Sequence, residues 1–271
     1  LCEESSVRIS WPHAASSEEV WKAKGTTPMY AGATDKGLIR INNEDCYAIL
    51  TTNENLPYVL IVADGLGGHR KGELASRIAV DYAVSRLDGS VGTEDDPAEI
   101  AEKLRDVIEK ANVKVYLGSL ENDENQGMGT TLTISVVLPH TLVTAHIGDS
   151  RAYLLHDGEL QRITVDHTLV QELLEAGDLT PEQTFNHPKR NVITRALGVP
   201  EYMQADTFIH PLRRGDRVLL CSDGLHGYVR EAQIRQILRK ERDPSVAAVH
   251  LIERANSVGG EDNITVVLCF L

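Results

Sequence analysis

The sequence PYVLIVADGLGGH, residues 57–69, decides the fold, because it carries an apolar strand straight into an aspartate and a glycine-rich turn. Asp64 is the first of four aspartates with this placement at a strand end. The others are Asp149 after residues 144–148, Asp223 after residues 218–222 and Asp262 before residues 264–271. One Asp-Gly pair alone is an ordinary turn signal. Four such aspartates on rigid strand ends can converge at one sheet edge, where divalent cations with oxygen ligands would relieve their repulsion.

The composition describes an acidic globular chain without a membrane segment. Its 271 residues are 42% hydrophobic, enough to bury a full core, and they predict one domain plus a tail. The formal net charge of -13 disfavours nucleic acid or an anionic membrane surface as a partner. No apolar run approaches the roughly 20 residues of a membrane span, and no charged-then-apolar leader opens the chain. We expect a soluble, cytoplasmic protein.

The four cysteines are isolated in the sequence. Cys2, Cys46, Cys221 and Cys269 lack the paired spacing of a zinc site or a disulfide framework, so buried reduced thiols are expected. Cys2 and Arg8 have the spacing of a cysteine phosphatase loop, but no glycines there could turn backbone amides toward a phosphate.

The first part of the chain reads as a tail followed by strands. Residues 1–28 lack apolar periodicity and predict a tail or linker, with at most a short helix around residues 18–23. Strands are expected at 45–51 and 57–63. Two helices follow, and the second opens with Asp96 as its cap and a proline at the first helical position.

The second part alternates strands and turns and then breaks into an irregular insertion. Residues 166–200 contain a short helix, 169–176, and look like a flap over the sheet edge. The remaining expected elements are strands at 130–138, 142–147, 151–156, 159–164 and 216–221, and helices at 232–239 and 244–257. Strands segregated around two helical pairs predict an α+β fold, in which two antiparallel β-sheets pack together with helices outside.

A second chemical signal precedes the first of these strands. Arg40 stands close to Glu44 and Asp45. A guanidinium beside an acidic metal cluster suits a dianionic ligand, because arginine binds phosphate oxygens with two hydrogen bonds and stays charged. A plain surface salt bridge is the alternative for Arg40 alone, and the neighbouring acidic and glycine-rich motifs favour phosphate.

Together these motifs resemble the metal-dependent, type 2C protein serine/threonine phosphatases, in their order and approximate spacing. The resemblance covers residues 29–271 and is closest to the bacterial branch. The matching stretches are Arg40 with Glu44-Asp45, residues 64–73 (DGLGGHRKGE), 127–131 (GMGTT), 148–151 (GDSR), 222–224 (SDG), 261–263 (EDN), and 166–167 (DH) with 187–198 in the flap.

The resemblance implies a β-sandwich flanked by helix pairs, with a catalytic domain over 29–271 and two Mn²⁺ or Mg²⁺ ions. It implies that Asp64 bridges the ions, that Arg40 binds the phosphate, and that a water or hydroxide between the ions attacks phosphoserine or phosphothreonine. The other implied metal contacts are Asp223 and Asp262 at the first ion, the Gly65 carbonyl at the second, Glu44 and Asp45 through waters or hydrogen bonds, and Asp149 with Asp223 at a third, weaker ion.

One departure from the family concerns the proton donor to the leaving group. Animal members carry a histidine directly after the Asp-Gly pair, and Leu66 stands there in this chain. A metal-bound water or His69 could protonate the seryl alkoxide, and His69 could equally orient the glycine-rich loop. The sequence therefore assigns no general acid.

Other functions with the same architecture remain open. A non-catalytic binding module usually loses metal ligands, which are kept here, and a phosphatase of phosphorylated anti-anti-sigma regulators usually carries sensor or kinase domains. A small-molecule phosphomonoesterase is excluded only by analogy. The expected partners are phosphorylated proteins, with a cognate serine/threonine kinase left open, and we expect a monomer.

Overall fold

The structure is a computed structural model of the chain and describes residues 6–10, 21–22, 29–52, 55–67, 70–185 and 187–271. Its strands, in chain order, are β1 (Ser6–Ser10), β2 (Trp21–Lys22), β3 (Met29–Asp35), β4 (Cys46–Thr52), β5 (Asn55–Ala63), β6 (Gly65–Leu66), β7 (Gly129–Thr130), β8 (Leu132–Val137), β9 (Thr141–Ile147), β10 (Arg151–His156), β11 (Glu159–Arg162), β12 (Asp206–Pro211), β13 (Arg217–Cys221) and β14 (Ile264–Phe270).

The helices alternate with the strands in two groups, one before β7 and one after β11. They are α1 (Arg70–Leu87), α2 (Pro97–Leu120), α3 (Leu169–Glu175), α4 (Pro181–Phe185), α5 (Asp223–His226), α6 (Glu231–Lys240) and α7 (Pro244–Ser257), with a 3₁₀ turn at Asp123–Asn125. Proline follows an aspartate cap at the start of both α2 and α7, as the sequence predicts. Asp96 accepts a hydrogen bond from the Ala98 amide at 2.8 Å, and Asp243 accepts one from the Ser245 amide at 2.9 Å.

Two six-stranded sheets carry the fold, which confirms the predicted α+β architecture. Their strand orders are β1-β4-β5-β8-β9-β12 and β11-β10-β13-β14-β3-β2, and neighbouring strands are antiparallel. A short ribbon joins β6 to β7. Helices α1 and α2 pack on the first sheet, while α7 packs on β3 and β14 of the second.

The core has three layers of apolar side chains. One lies between the first sheet and its helices, a second between the other sheet and its helices, and the third contains residues of both sheets. In the third layer, Tyr30 of β3 meets Tyr58 of β5 edge-to-face with ring centroids 5.0 Å apart. All seven residues of β14 are buried, because both of its faces are covered, and this accounts for its unbroken apolar sequence.

The first 28 residues differ from the expected tail in the parts that are described. Ser6–Ser10 pairs with β4, and Trp21–Lys22 pairs with β3. The helix expected around 18–23 is therefore wrong at 21–22, and the rest of that range lies outside the described residues. Backbone groups at the open edges of β4 and β3 explain the pairing, since a free sheet edge accepts a further strand. The division at residue 29 stays a prediction.

Strand β12 and helices α4 and α5 are, like β1, β2 and β6, elements without a counterpart in the sequence prediction. Strand β12 was missed because its side chains are half-buried and end in Pro211, a pattern typical of an edge strand. Helix α4 lies inside the stretch expected to be irregular, and α5 begins at Asp223, where only a turn was expected. Strand β5 also begins at Asn55, two residues early.

The described helices include none with the length and apolar content needed to cross a membrane.

Candidate metal and phosphate site

The acidic residues singled out in the sequence come from both sheets. Asp45 directly precedes β4, and Asp64 follows β5, in the first sheet. Asp223 follows β13 and Asp262 lies two residues before β14, in the second sheet. Asp149 stands in the turn that carries the chain from β9 in one sheet to β10 in the other. The residues therefore meet at one end of the seam between the sheets.

The pKa values of these carboxyls show that they interact. Burial, followed by the charges of Asp45, Asp223, Asp149 and Asp262, raises the pKa of Asp64 well above its usual range. Burial and Asp262 raise the pKa of Asp223 to about 6, against a hydrogen bond between Asp223 and Asp64 that lowers it. Close carboxyls of this kind hold protons unless cations compensate their charge.

Asp45 is fixed by hydroxyl groups of the opposite sheet. The Ser222 hydroxyl donates to Asp45 Oδ2 at 2.7 Å and accepts from the Thr265 amide at 2.9 Å. Burial raises the pKa of Asp45 to about 7, although hydrogen bonds from Thr265 and Ser222 lower it. The hydrogen bonds orient this carboxyl toward the seam between the sheets.

The backbone of Asp64 is held by two threonines. Its amide donates to Thr131 Oγ1 at 2.9 Å, and its carbonyl accepts from the Thr131 amide at 2.9 Å and the Thr130 hydroxyl at 2.8 Å. The next residue must be glycine, since a Cβ on Gly65 would lie 2.6 Å from the Glu44 carbonyl oxygen. These contacts give Thr130 and Thr131 of the GMGTT segment a structural role that needs no ligand.

Glu44 is buried beside the start of α1. Its amide donates to Asn263 Oδ1 at 2.8 Å, and its carbonyl accepts from the Ser76 hydroxyl at 2.6 Å. A Cβ at Gly72, in the first turn of α1, would lie 2.0 Å from Glu44 Oε2. The Glu44 carboxylate thus occupies the space that a side chain at Gly72 would need.

Arg40 is bound to one of the acidic residues. Its Nη2 donates to Asp262 Oδ2 at 2.6 Å, with 47% of the arginine side chain exposed. Partial burial opposes the charge of Arg40, but Asp262, Glu44 and Asp223 outweigh it and raise the pKa of the guanidinium. The arginine expected to bind phosphate therefore lies among the acidic residues, where its partner is a carboxylate.

The carboxyl oxygens fit hard divalent ions in their chemistry. Asp149 Oδ1 is buried and has no hydrogen-bond partner among the described residues, so it is available to a cation. Within the same described ranges, however, no three acidic, histidine or cysteine side chains already surround a common point as a metal cage. Asp262 is turned to Arg40 and Asp64 to Asp223. The ligand roles of the acidic residues and of the Gly65 carbonyl stay predictions.

Two buried histidines hold the peptide before Asp149. His146 Nε2 lies 3.0 Å from the Gly148 carbonyl oxygen, and its Nδ1 lies 2.8 Å from the Thr133 hydroxyl. The Gly148 amide donates to His167 Nδ1 at 3.0 Å, while His167 Nε2 faces Asp206 at 3.0 Å. Since a carbonyl and a carboxylate only accept, both rings must carry their proton on Nε2.

A third histidine holds Asp149 itself. His226, in the one-turn helix α5, places Nε2 2.9 Å from the Asp149 carbonyl oxygen. Burial lowers the pKa of His226 and of His146 to about 3 in each case, so both rings are neutral at physiological pH. The imidazoles of His146, His167 and His226 therefore fix the Gly148-Asp149 backbone that carries the Asp149 carboxyl.

The root of the flap is anchored to β10 by a buried ion pair. Arg151 Nη2 lies 2.6 Å from Asp166 Oδ2, and its Nε lies 2.9 Å from Oδ1, which makes a two-pronged contact. Burial opposes the charge of Asp166, but Arg151 outweighs it and holds the pKa of that carboxyl well below its usual range. Both residues lie in stretches singled out in the sequence, 148–151 and 166–167, but the sequence alone predicts no contact between them.

A cleft of about 720 Å³ adjoins the acidic cluster. Asp149 and Asp223 line its inner end, residues 166–191 form one wall, and the segment from α5 to α6 forms the other. Arg190 bridges the walls by donating to the Gly227 carbonyl oxygen at 2.6 Å. Asp64 and Arg40 are not lining residues, so the cleft lies beside the acidic cluster.

The cysteines and two histidines complete the comparison of the predicted residues with the structure. Cys46, Cys221 and Cys269 are buried thiols, and burial raises the pKa of each, which removes them as nucleophiles. Cys2 and His69 lie outside the described residues. His226 was missed because its role depends on a contact with a residue 77 positions away, and its only local signal is its place one turn after Asp223.

Two packed sheets with acidic residues at their seam, next to an arginine, suit an enzyme that binds metal ions and phosphate. The chain belongs to the protein phosphatase 2C family, whose profile matches residues 40–262. The serine/threonine phosphatase stp of Listeria monocytogenes is 42% identical over 239 residues, which cover 87% of this chain and 92% of that protein. The protein phosphatase PhpP of Streptococcus pneumoniae is 39% identical over 237 residues, covering 87% and 94%.

Solved structures show the same likeness. The serine/threonine phosphatase Stp1 from Staphylococcus aureus matches with a TM-score of 0.84 and 35% identity, over 91% of this chain and 96% of that one. The catalytic domain of the phosphatase PstP, solved in complex with two manganese ions, matches with a TM-score of 0.77 and 37% identity, over 90% of this chain and 97% of that one.

Proposed function

We propose that this protein phosphatase hydrolyses phosphoserine and phosphothreonine on proteins and depends on two Mn²⁺ or Mg²⁺ ions. The observation that carries the proposal is the meeting of the buried Asp45 with the partly buried Asp64, Asp223 and Asp262 at the seam, beside Arg40. Similarity to the bacterial phosphatases, one of them solved with two manganese ions, supports it.

The chain's oxygen donors divide into three groups in this proposal. Asp64 would contact both ions, Asp223 and Asp262 would complete the first site, and the Gly65 carbonyl would contribute to the second. Glu44 and Asp45 act through waters or hydrogen bonds, which suits the hydrogen bond between Asp45 and Ser222. Asp149 and Asp223 would together hold a third, weaker ion, and the buried Oδ1 of Asp149, which has no hydrogen-bond partner among the described residues, supports that role.

Bound ions supply the chemistry that the side chains lack, because two adjacent divalent cations lower the pKa of a water between them and neutralise phosphate charge. Arg40 binds the phosphate oxygens and must give up part of its contact with Asp262 to do so. The same exchange would leave Asp262 Oδ2 available to a cation.

His146 and His226 do not act as general acids in this proposal. The Nε2 proton of His226 is donated to the Asp149 carbonyl, and that of His146 to the Gly148 carbonyl. With pKa values of about 3, neither ring carries a second proton at pH 7. Leu66 lies in β6 and has no titratable group, so the proposal leaves the proton donor unassigned.

Hydrolysis by protein stripped with EDTA tests the function. A phosphothreonine peptide and a phosphotyrosine peptide are supplied with Mn²⁺, Mg²⁺ or Ca²⁺. We expect Mn²⁺ or Mg²⁺ to restore activity, with phosphothreonine preferred, and Asp223→Asn to abolish it. Folded protein that stays inactive with every metal would overturn the proposal and favour a binding module.

A matched variant separates loss of metal from loss of stability. Asp216 is also buried, at the opposite end of β13, where it accepts from the Arg213 amide at 2.8 Å. Asp216→Asn should lower the melting temperature and keep metal-dependent turnover. Equal loss of activity in both variants would contradict the assignment of Asp223 as a ligand.

The proposal also covers partners and location. The substrates are phosphorylated proteins, and a cognate serine/threonine kinase is a further candidate partner. The protein is proposed to be monomeric and cytoplasmic. Three buried thiols without a disulfide suit a reducing compartment.

A further inference from the structure

The loop that carries Arg40, residues 36–42, exposes three large aliphatic side chains. Leu38 is 66% exposed, Ile39 is 68% exposed and Ile41 is 79% exposed. Scattered apolar residues are normal on a protein surface, but three within four consecutive positions form a patch. We call this patch the aliphatic loop.

The aliphatic loop is held rigidly. The amides of Leu38 and Ile39 both donate to the Gly260 carbonyl oxygen, at 2.7 and 3.3 Å. Asn263 Nδ2 donates to the carbonyls of Lys36 and Asn42, at 2.9 Å each, and so joins the two ends of the loop. The exposed side chains therefore stand on a fixed backbone, which lowers the entropic cost of binding to them.

The same loop presents the proposed phosphate ligand. Arg40 lies between Ile39 and Ile41 in the chain and reaches Asp262 at 2.6 Å. A phosphate held by Arg40 brings the rest of its substrate against the residues on either side. The aliphatic loop is thus continuous with the proposed site, and the cleft beside Asp149 does not include it.

We propose that Leu38, Ile39 and Ile41 bind apolar side chains next to the phosphorylated residue of a protein substrate. This inference rests on the proposed function and names a substrate class for the same site. The charge of the protein also favours a substrate with apolar residues beside its phosphorylated residue. A chain of net charge -13 repels acidic residues at those positions. Contacts made equally before and during the reaction should act mainly on KM.

The test compares two phosphothreonine peptides that differ only beside the phosphorylated residue, with leucine or valine in one and serine or glycine in the other. Wild-type protein with Mn²⁺ should favour the apolar peptide about five- to tenfold in kcat/KM, the effect of partly burying one aliphatic side chain. In the double variant Ile39→Gln with Ile41→Gln this preference should disappear, through a higher KM.

Two controls accompany the double variant. p-Nitrophenyl phosphate has no flanking residues, so its hydrolysis should stay unchanged. Leu117→Gln removes an aliphatic side chain that is 51% exposed on α2, which packs on β9 and β12, and should keep the peptide preference. Glutamine is used at every position because it is close in size to leucine and isoleucine. It is also a good helix former, which suits Leu117 in α2.

The outcomes separate this inference from the proposed function. Normal hydrolysis of p-nitrophenyl phosphate without any peptide preference in wild-type protein would overturn the aliphatic loop alone. A preference that survives in the double variant would do the same. No metal-dependent hydrolysis of any substrate would overturn both. If light scattering showed a wild-type dimer that the double variant loses, the patch would be a contact between copies, and the inference would be wrong.

Discussion

His226 Nε2 lies 2.9 Å from the carbonyl oxygen of Asp149, although the residues are 77 positions apart. His226 belongs to the helix that begins at Asp223, so the contact ties two predicted metal-binding aspartates together through the backbone. The position of Asp149 relative to Asp223 is therefore set by an imidazole that touches neither carboxylate by hydrogen bond in the described structure.

Replacing His226 should loosen a metal site without removing a ligand. His226→Leu leaves the Asp149 carbonyl buried without its donor, which costs about 1–3 kcal/mol of stability. We expect Mn²⁺ affinity, measured by calorimetry, to fall by about tenfold, as for other residues that orient ligands. His226→Gln keeps an amide N–H for the carbonyl and should restore most of the affinity.

A second histidine controls for the loss of stability. His156 lies on β10 with Nδ1 2.8 Å from Asp216, away from the acidic cluster. His156→Leu should lower the melting temperature and leave Mn²⁺ affinity unchanged. If His226→Gln bound Mn²⁺ as weakly as His226→Leu, the hydrogen bond to Asp149 would have no positioning role.

Metal binding should release protons. The pKa of Asp45 is about 7 and that of Asp223 about 6 in the protein without metal, so both carry protons for part of the time at pH 6. Because ligands must be ionised, Mn²⁺ affinity should rise from pH 5 to 8. Titration calorimetry in two buffers of different ionisation enthalpy measures the release. Equal heats in both buffers at pH 6 would contradict this prediction.

Removing Arg40 should weaken phosphate binding more than metal binding. Arg40→Ala loses the donor for phosphate and also frees Asp262 Oδ2 from its 2.6 Å contact. KM for a phosphopeptide and the inhibition constant of inorganic phosphate should each rise about tenfold or more, while Mn²⁺ affinity stays equal or increases. Arg40→Lys keeps the charge but not the fork, and should fall between. Unchanged phosphate inhibition in Arg40→Ala would exclude the phosphate role.

Two glycines with positive φ should respond differently to a methyl group. Gly148 has φ +107°, and a Cβ there would lie 2.5 Å from Thr131 Cβ. Gly177 has φ +81° with no atom within 4 Å of a built Cβ. Gly177→Ala should cost about 1 kcal/mol of unfolding free energy, and Gly148→Ala about 3 kcal/mol or more. Urea unfolding measures both, and equal losses would show that the turn at Gly148 can relax.

Much of the fold could be predicted because it is encoded locally. Helix α2 has a cap at Asp96, a proline and an apolar face, and β14 is an unbroken apolar run. Asp64, Asp149 and Asp223 follow strands directly, so their meeting at a sheet end depends only on strand order. The features that were missed have weak local signals, as in the half-buried edge strand β12.

The contacts that arrange the site could not be predicted in the same way. His167 contacts Gly148 and Asp206, and Ser222 contacts Asp45. These contacts depend on how distant segments of the chain pack together. The sequence also predicts that Arg40 binds phosphate, but it does not indicate that the side chain contacts Asp262 in the structure. Such pairings follow from tertiary structure, which no local pattern of apolar or polar residues contains.

The place of β14 in the second sheet has a consequence for synthesis of the protein. This last strand lies between β13 and β3, so Met29–Asp35 obtains its long central partner only when Ile264–Phe270 has been made. Until then one edge of β3 has no neighbour and Asp262 has not joined the cluster. Such distant pairing slows folding and exposes the strand to association with other chains. The growing polypeptide therefore cannot bring Asp262 to the other carboxyls before residues 264–270 have left the ribosome.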